Sequence, residues 1–253
     1  MIRPRVIPIL LLRGEGLVKG VQFKDYKYVG DPMNAVKIFS TKEVDELLFL
    51  DIAATSENRC ISIELVRKIA DEAYMPFGVG GGIHTIKEIK DLLSAGAEKI
   101  SLNTTAIENP ALISDAASFS GSQSIVVSID VKKNWKGDYI VYSHSGNKST
   151  DLHPADWAKE VENLGAGEIL INSIDRDGTM KGYDLKLIAD VTSAVNIPVI
   201  ACGGAGSVKD IVDAVQLAGA SAAAAGSFFV FHGPKRAVLI NVPSENDLSL
   251  LWE

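Results

Sequence analysis

Pro76-Phe77-Gly78-Val79-Gly80-Gly81-Gly82, running into Thr85-Ile86-Lys87-Glu88-Ile89, is written a second time 122 residues further on as Pro198-Val199-Ile200-Ala201-Cys202-Gly203-Gly204, running into Ser207-Val208-Lys209-Asp210-Ile211. Each copy reads as a short apolar strand, a glycine turn and the start of a helix. The same offset aligns Asp45-Glu46-Leu47-Leu48-Phe49-Leu50 with Gly167-Glu168-Ile169-Leu170-Ile171-Asn172, so the repeated unit is half the chain. Repeats of that length are half domains, whereas solenoid modules recur every ~20–50 residues. Carried to the first strand of each half with a three-residue shift, to an offset of 119, the alignment pairs Val6-Ile7-Pro8-Ile9-Leu10-Leu11 with Ile125-Val126-Val127-Ser128-Ile129-Asp130. One half ends in Asp130; the other ends in Leu11.

Outward from the repeat, short apolar runs lie at Val6–Leu11, Glu46–Asp51, Phe77–Gly80, Lys99–Leu102, Ile125–Asp130, Glu168–Asn172, Val199–Cys202 and Ala222–Gly226. Between them come segments with apolar residues at helical spacing: Ser62–Ala73, Ile86–Ala95, Ala111–Phe119, Ala155–Leu164, Leu185–Ala194 and Val208–Ala218. Near-continuous hydrophobic strands belong to a parallel sheet covered by helices. Eight of them in two equal halves predict an α/β fold, one (β/α)8 barrel over residues 1–253, with half-barrels of roughly 1–120 and 121–253.

Composition narrows the function. The chain has 253 residues, 47% of them hydrophobic, a formal charge of −7 and no basic stripe, which argues against a nucleic-acid surface. The apolar run before Arg13 is too short to span a bilayer and carries no cleavage signal, so the expectation is a cytoplasmic protein without membrane contact. Cys60 and Cys202 make no disulfide framework or metal spacing and read as buried small hydrophobes. His84, His144, His153 and His232 sit in no triad arrangement. No metal or cofactor is expected.

In such a barrel chemistry collects at the C-terminal ends of the strands. Gly81-Gly82 and Gly203-Gly204 each follow a strand and precede a helix, an arrangement in which main-chain N–H groups can cradle an anion. Asn103-Thr104 helps to complete the first cradle and Gly226-Ser227 the second. Two cradles facing each other across one mouth imply a small molecule with a phosphate at each end. Asp130 then falls between them as a candidate general acid or base. Asp51 and Asp177-Gly178 end at the same level, Lys19 is the remaining cation there, and Ser145 is a further ligand candidate, while Lys24 and Lys27 read as solvated loop charges. Asp175 and Arg176 belong to the same cluster, and some of these charges must pair with each other. At the opposite end, Arg5, Glu46, Lys99 and Glu168 stand at the starts of four strands and can close into a neutral ring, whose plain reading is stability.

These residues also carry a family resemblance. Val18-Lys19-Gly20, Gly30-Asp31-Pro32, Leu50-Asp51-Ile52, Gly80-Gly81-Gly82-Ile83, Ser101-Leu102-Asn103-Thr104, Ser173-Ile174-Asp175-Arg176-Asp177-Gly178-Thr179 and Cys202-Gly203-Gly204-Ala205-Gly206 occur in order, over nearly the whole chain up to about Phe231. Together they resemble the cyclase subunit of imidazole glycerol phosphate synthase. The resemblance implies a duplicated half-barrel that binds a bisphosphate substrate. It also implies ammonia supplied by a glutaminase subunit docked at the barrel's bottom. Arg5, Glu46, Lys99 and Glu168 match that family's charged ammonia gate, and Asp130 matches one of its two catalytic aspartates.

The other aspartate falls at Leu11, which cannot exchange a proton. Asn172 stands where the family has a small hydroxyl residue, and the tail Phe228–Ile240 departs from the family's terminal helix. These departures resemble a paralogous branch in which the barrel feeds ammonia to a third protein, a sugar amidotransferase making acetamidino sugars for surface polysaccharide. Three readings stay open: ammonia delivery, histidine-pathway cyclisation of PRFAR to imidazole glycerol phosphate and AICAR, and a phosphate-binding scaffold without chemistry.

Overall fold

Eight parallel strands form where the apolar runs lie: β1 (Arg5–Arg13), β2 (Leu47–Asp51), β3 (Phe77–Gly80), β4 (Lys99–Leu102), β5 (Ile125–Lys133), β6 (Glu168–Ser173), β7 (Val199–Cys202) and β8 (Ala222–Ala225). Each pairs with the next, and β8 pairs with β1, so the sheet closes into a (β/α)8 barrel without edges. The computed structural model describes residues 3–233 and 235–251.

The period of two divides each strand between two cores. Outward residues such as Val6, Leu10, Phe49, Val79, Ile100, Val127 and Ile169 pack beneath the helices. Inward residues Ile7, Ile9, Leu11, Leu48, Val126, Leu170, Ile200, Cys202, Ala222 and Ala224 fill the lumen. Helices α1 (Pro32–Thr41), α2 (Ile63–Glu72), α3 (Ile86–Ser94), α4 (Thr104–Glu108), α5 (Ala111–Ser120), α6 (Pro154–Asn163), α7 (Leu185–Thr192), α8 (Val208–Gln216), α9 (Ser227–Val230) and α10 (Glu245–Leu248) cover the outside. None among the described residues is long and apolar enough to cross a membrane.

The duplication reaches the helix caps. Thr85 with Glu88 and Ser207 with Asp210 form reciprocal capping boxes that open α3 and α8. Ser62 and Asp184 cap α2 and α7, and Pro32 and Pro154 occupy the first turns of α1 and α6. Each side-chain cap contributes ~0.5–2 kcal/mol and fixes where the chain turns back down the barrel.

Several sequence expectations need correction. β1 and β5 continue past Leu11 and Asp130 into hairpins: β1 pairs with strand Gly16–Val21, itself paired with Lys24–Gly30, and β5 pairs with strand Tyr139–Ser143. The Lys24–Gly30 strand has no buried face, so it lacks the apolar pattern that marks the barrel strands; Lys24 and Lys27 are exposed strand residues, not loop charges. Glu46 lies just before β2 and Gly226 just after β8. Cys202 is buried but Cys60 is only half-buried. The tail forms a small hairpin, Phe231–His232 with Ala237–Val238, before α10; Pro234 between them lies outside the described residues.

Candidate functional site

The strand ends surround a cavity of about 130 Å³. Lys19, Asp51, Asp130, Ser145, Asp177 and Gly178 line it together with both glycine pairs, Asn103-Thr104 and Gly226-Ser227. Both cradles need glycine. Gly82 (φ +59°) and Gly204 (φ +122°) are left-handed, and a Cβ at either would fall 1.9 Å from the Arg59 carbonyl oxygen or 2.2 Å from that of Gly182. Gly82→Ala should therefore lose ~1–3 kcal/mol from backbone strain alone, with the clash added, in denaturant unfolding. An unchanged midpoint would show that the loop yields at no cost. Helices α4 and α9, which begin beside the two cradles, have no side-chain cap; in α9 the Phe229 N–H already donates to the Gly226 carbonyl at 3.0 Å, which leaves the N–H groups of Ser227 and Phe228 to face the cradle.

Asp130 is held from both sides: Asn172 Nδ2 donates to Oδ1 at 2.9 Å and Asn103 Nδ2 to Oδ2 at 3.0 Å. Burial pushes its pKa up to about 7, Asn172 pulls it back, the Asp177 charge adds to the rise and Asn103 opposes it. A carboxyl whose folded pKa lies above its unfolded value binds its proton more tightly when folded. Stability therefore falls as pH rises from about 4 to about 7. Asp130→Asn should remove this slope and raise stability by up to about 4 kcal/mol at pH 8, since each unit is worth ~1.4 kcal/mol. The Asn172 amide can flip to accept from the new side chain. Unfolding curves at pH 5 and pH 8 check it, and a variant that gains nothing at pH 8 would contradict the burial argument.

The other charges are already partnered. Lys19 Nζ donates to Asp177 Oδ1 at 2.9 Å, and both side chains are buried. Asp51 binds Arg59 at 2.5 Å and accepts from the N–H groups of Ala53 and Ala54, so it is a structural anchor rather than a free carboxylate. The Asn103 side chain serves Asp130 and the Ser128 carbonyl instead of the first cradle. Thr104 Oγ1 accepts from the His144 N–H at 3.0 Å, and Ser145 Oγ donates to the Ile52 carbonyl at 3.4 Å. Leu11 faces inward among Ile9, Cys202 and their lumen neighbours, so the wall that β1 gives the mouth is apolar.

Sequence reasoning passed over Arg59, Tyr26 and Ser128. Arg59 and Tyr26 reach the site from loop and hairpin, with no local signal. Tyr26 lines the mouth, and burial with the Asp177 and Asp130 charges pushes its phenol up to about 12. Ser128 did have a signal, since it stands two residues before Asp130 on the inward face of β5, as Ser101 stands two before Asn103 at the end of β4.

At the far end of the lumen the four charges do close. Arg5 donates to Glu46 and Glu168, and Lys99 donates to the same two carboxylates at 2.9 and 2.7 Å. Each cation bridges both anions, so the ring is neutral and ties the N-terminal ends of the strands together.

A closed parallel barrel of two matching halves, with one buried carboxylate between paired glycine turns and a charged ring beneath, places the chain among the (β/α)8-barrel enzymes. Residues 5–234 match the family model described as "Histidine biosynthesis protein", and the chain belongs to that family. It is 50% identical over 250 residues to a Pseudomonas aeruginosa protein named, provisionally, imidazole glycerol phosphate synthase subunit hisF2, covering 99% of this chain and 100% of that one. A Vibrio vulnificus relative with the corresponding hisF3 name is 47% identical over 248 residues, 98% of this chain and 95% of the other. The imidazole glycerol phosphate synthase subunit HisF of Alkaliphilus metalliredigens is 44% identical over 250 residues, 99% of each chain.

Proposed function

We propose that this chain is the synthase barrel of a glutamine-dependent amidotransferase. A glutaminase docks at the charged ring, and ammonia passes through the lumen to a mouth that takes a ligand with two phosphates. The ammonia is then handed to an acceptor protein, a sugar amidotransferase, instead of being used to close a ring here. The observation that carries the reading is Leu11. Asp130 meets an apolar wall where acid–base cyclisation needs a second proton carrier, while the ring at the other end is complete. The uncapped first turns of α4 and α9 and the unpartnered Ser227 Oγ support phosphate binding. Relatives named hisF2 and hisF3 support a numbered paralogue of the ordinary subunit.

A second reading, the histidine-pathway cyclase, is favoured by Asp130 itself. A carboxyl with a pKa of about 7 can both give and take a proton at neutral pH. Formation of imidazole glycerol phosphate from PRFAR and excess ammonium salt separates the two. Robust turnover by the unmodified chain supports the cyclase; no turnover supports delivery.

A further inference from the structure

Two buried acceptors at the tip of β6 have no donor. Asn172 Oδ1 and Asp177 Oδ2 lack a hydrogen-bond partner among the described residues, and both residues are more than nine-tenths buried against the mouth. One hydrogen bond orients each of them. Asn172 spends its Nδ2 on Asp130, which turns Oδ1 toward Gly203, into space where a Cβ would come within 2.7 Å. Asp177 spends Oδ1 on Lys19, the cation nearest the site, which leaves Oδ2 free and the pair neutral. A phosphate does not answer this arrangement, because its oxygens would meet lone pairs. The acceptors call for a compact donor, and beside a carboxylate oxygen a cation with N–H on several sides is held more strongly than a water molecule.

We propose that Asn172, Asp177 and Asp130 form a holding site for an ammonium ion at the barrel mouth. The inference deepens the ammonia-delivery reading and rests on it. Ammonia rising through the lumen takes the proton of the Asp130 carboxyl and becomes ammonium beside a carboxylate. At hand-over the proton returns to Asp130 and ammonia leaves, so no proton is gained or lost over the cycle. With its pKa near 7, Asp130 is protonated often enough to do this, and ammonia is the stronger base. Below the site Ile7, Ile9 and Ala224 are apolar, and Ser101 and Ser128 add uncharged hydroxyls, so an ion meets no opposite charge on that stretch and is held at the mouth. Leu11 and Asn172 thereby acquire linked roles: one removes a competing carboxylate from the mouth, and the other supplies an acceptor that a small hydroxyl residue would not extend as far.

Thallium(I), which has ammonium's charge and nearly its size and scatters X-rays anomalously, provides the direct test on crystals of the whole chain. An anomalous peak between Asn172 and Asp177 is the expected result, and peaks only at surface carboxylates would overturn the site. In solution, ammonium chloride should raise the melting temperature above an equal concentration of sodium chloride, and Asn172→Ser should reduce that difference several-fold. Full retention of the ammonium-specific shift in Asn172→Ser, or equal shifts from both salts in the parent, would also overturn it. A thallium peak in a chain that never couples to glutamine hydrolysis would sink the delivery reading alone. A coupled chain without the peak would sink the site alone.

Discussion

Lys99→Ala is expected to lower stability by about 3 kcal/mol and to let glutamine be hydrolysed without product. The change leaves Glu46 and Glu168, 5% and 8% exposed, with Arg5 as their one remaining ring partner. Removing one member of a buried ion pair typically costs ~3–5 kcal/mol, because the partner stays buried with less compensation. The lower end applies here, since Arg5 still bridges both carboxylates. Glu46→Ala opens the same ring from the anionic side and should uncouple in the same way, although Arg5 and Lys99 both keep Glu168. The measurement is the ratio of glutamate released to product formed, alongside denaturant unfolding. If both variants keep that ratio at the parent's value, ammonia does not pass through the ring. A purely structural ring would lose stability and leave the ratio alone.

Leu11→Asp carries the second large effect, in two directions at once. Leu11 is buried at the top of the lumen cluster, and Leu50 and Tyr26 pack on that cluster. A carboxylate there forfeits the leucine's burial, ~1.5–3 kcal/mol, and stands without a donor in an apolar surround facing Asp130. A net loss of roughly 3–5 kcal/mol is expected at pH 8. The loss should shrink toward pH 5, because protonation relieves both the desolvation and the repulsion between the two carboxyls. In the same variant the mouth regains its second proton carrier, so turnover of PRFAR with ammonium should rise by ~10²-fold or more if general acid–base help is all that is missing. Turnover that stays at the parent's background would show that a missing carboxylate at this position is not what limits cyclisation.

Much of the architecture was legible because it depends on short-range patterns. Burial on both faces makes each barrel strand a continuous apolar run, and the capping boxes at Thr85 and Ser207 announce two helices at one offset. The ring was legible too, since four charges at the first turn of an inward face have few places to go. The two hairpins were not. Each continues a barrel strand out of the sheet into solvent, where the alternation that reports burial fades, as in Lys24–Gly30.

What the sequence determined by itself was the duplication, the strand order it implies, the glycine turns and the absence of a carboxylate at Leu11. All are properties of one residue type at one spacing. The tertiary structure alone decided which group each mouth residue takes as partner. Asp51 went to Arg59, Lys19 to Asp177 across 158 residues of chain, and Asn103 and Asn172 to Asp130. A buried charge takes whichever opposite charge or donor barrel closure brings within about 3 Å, and closure joins residues that no local pattern relates.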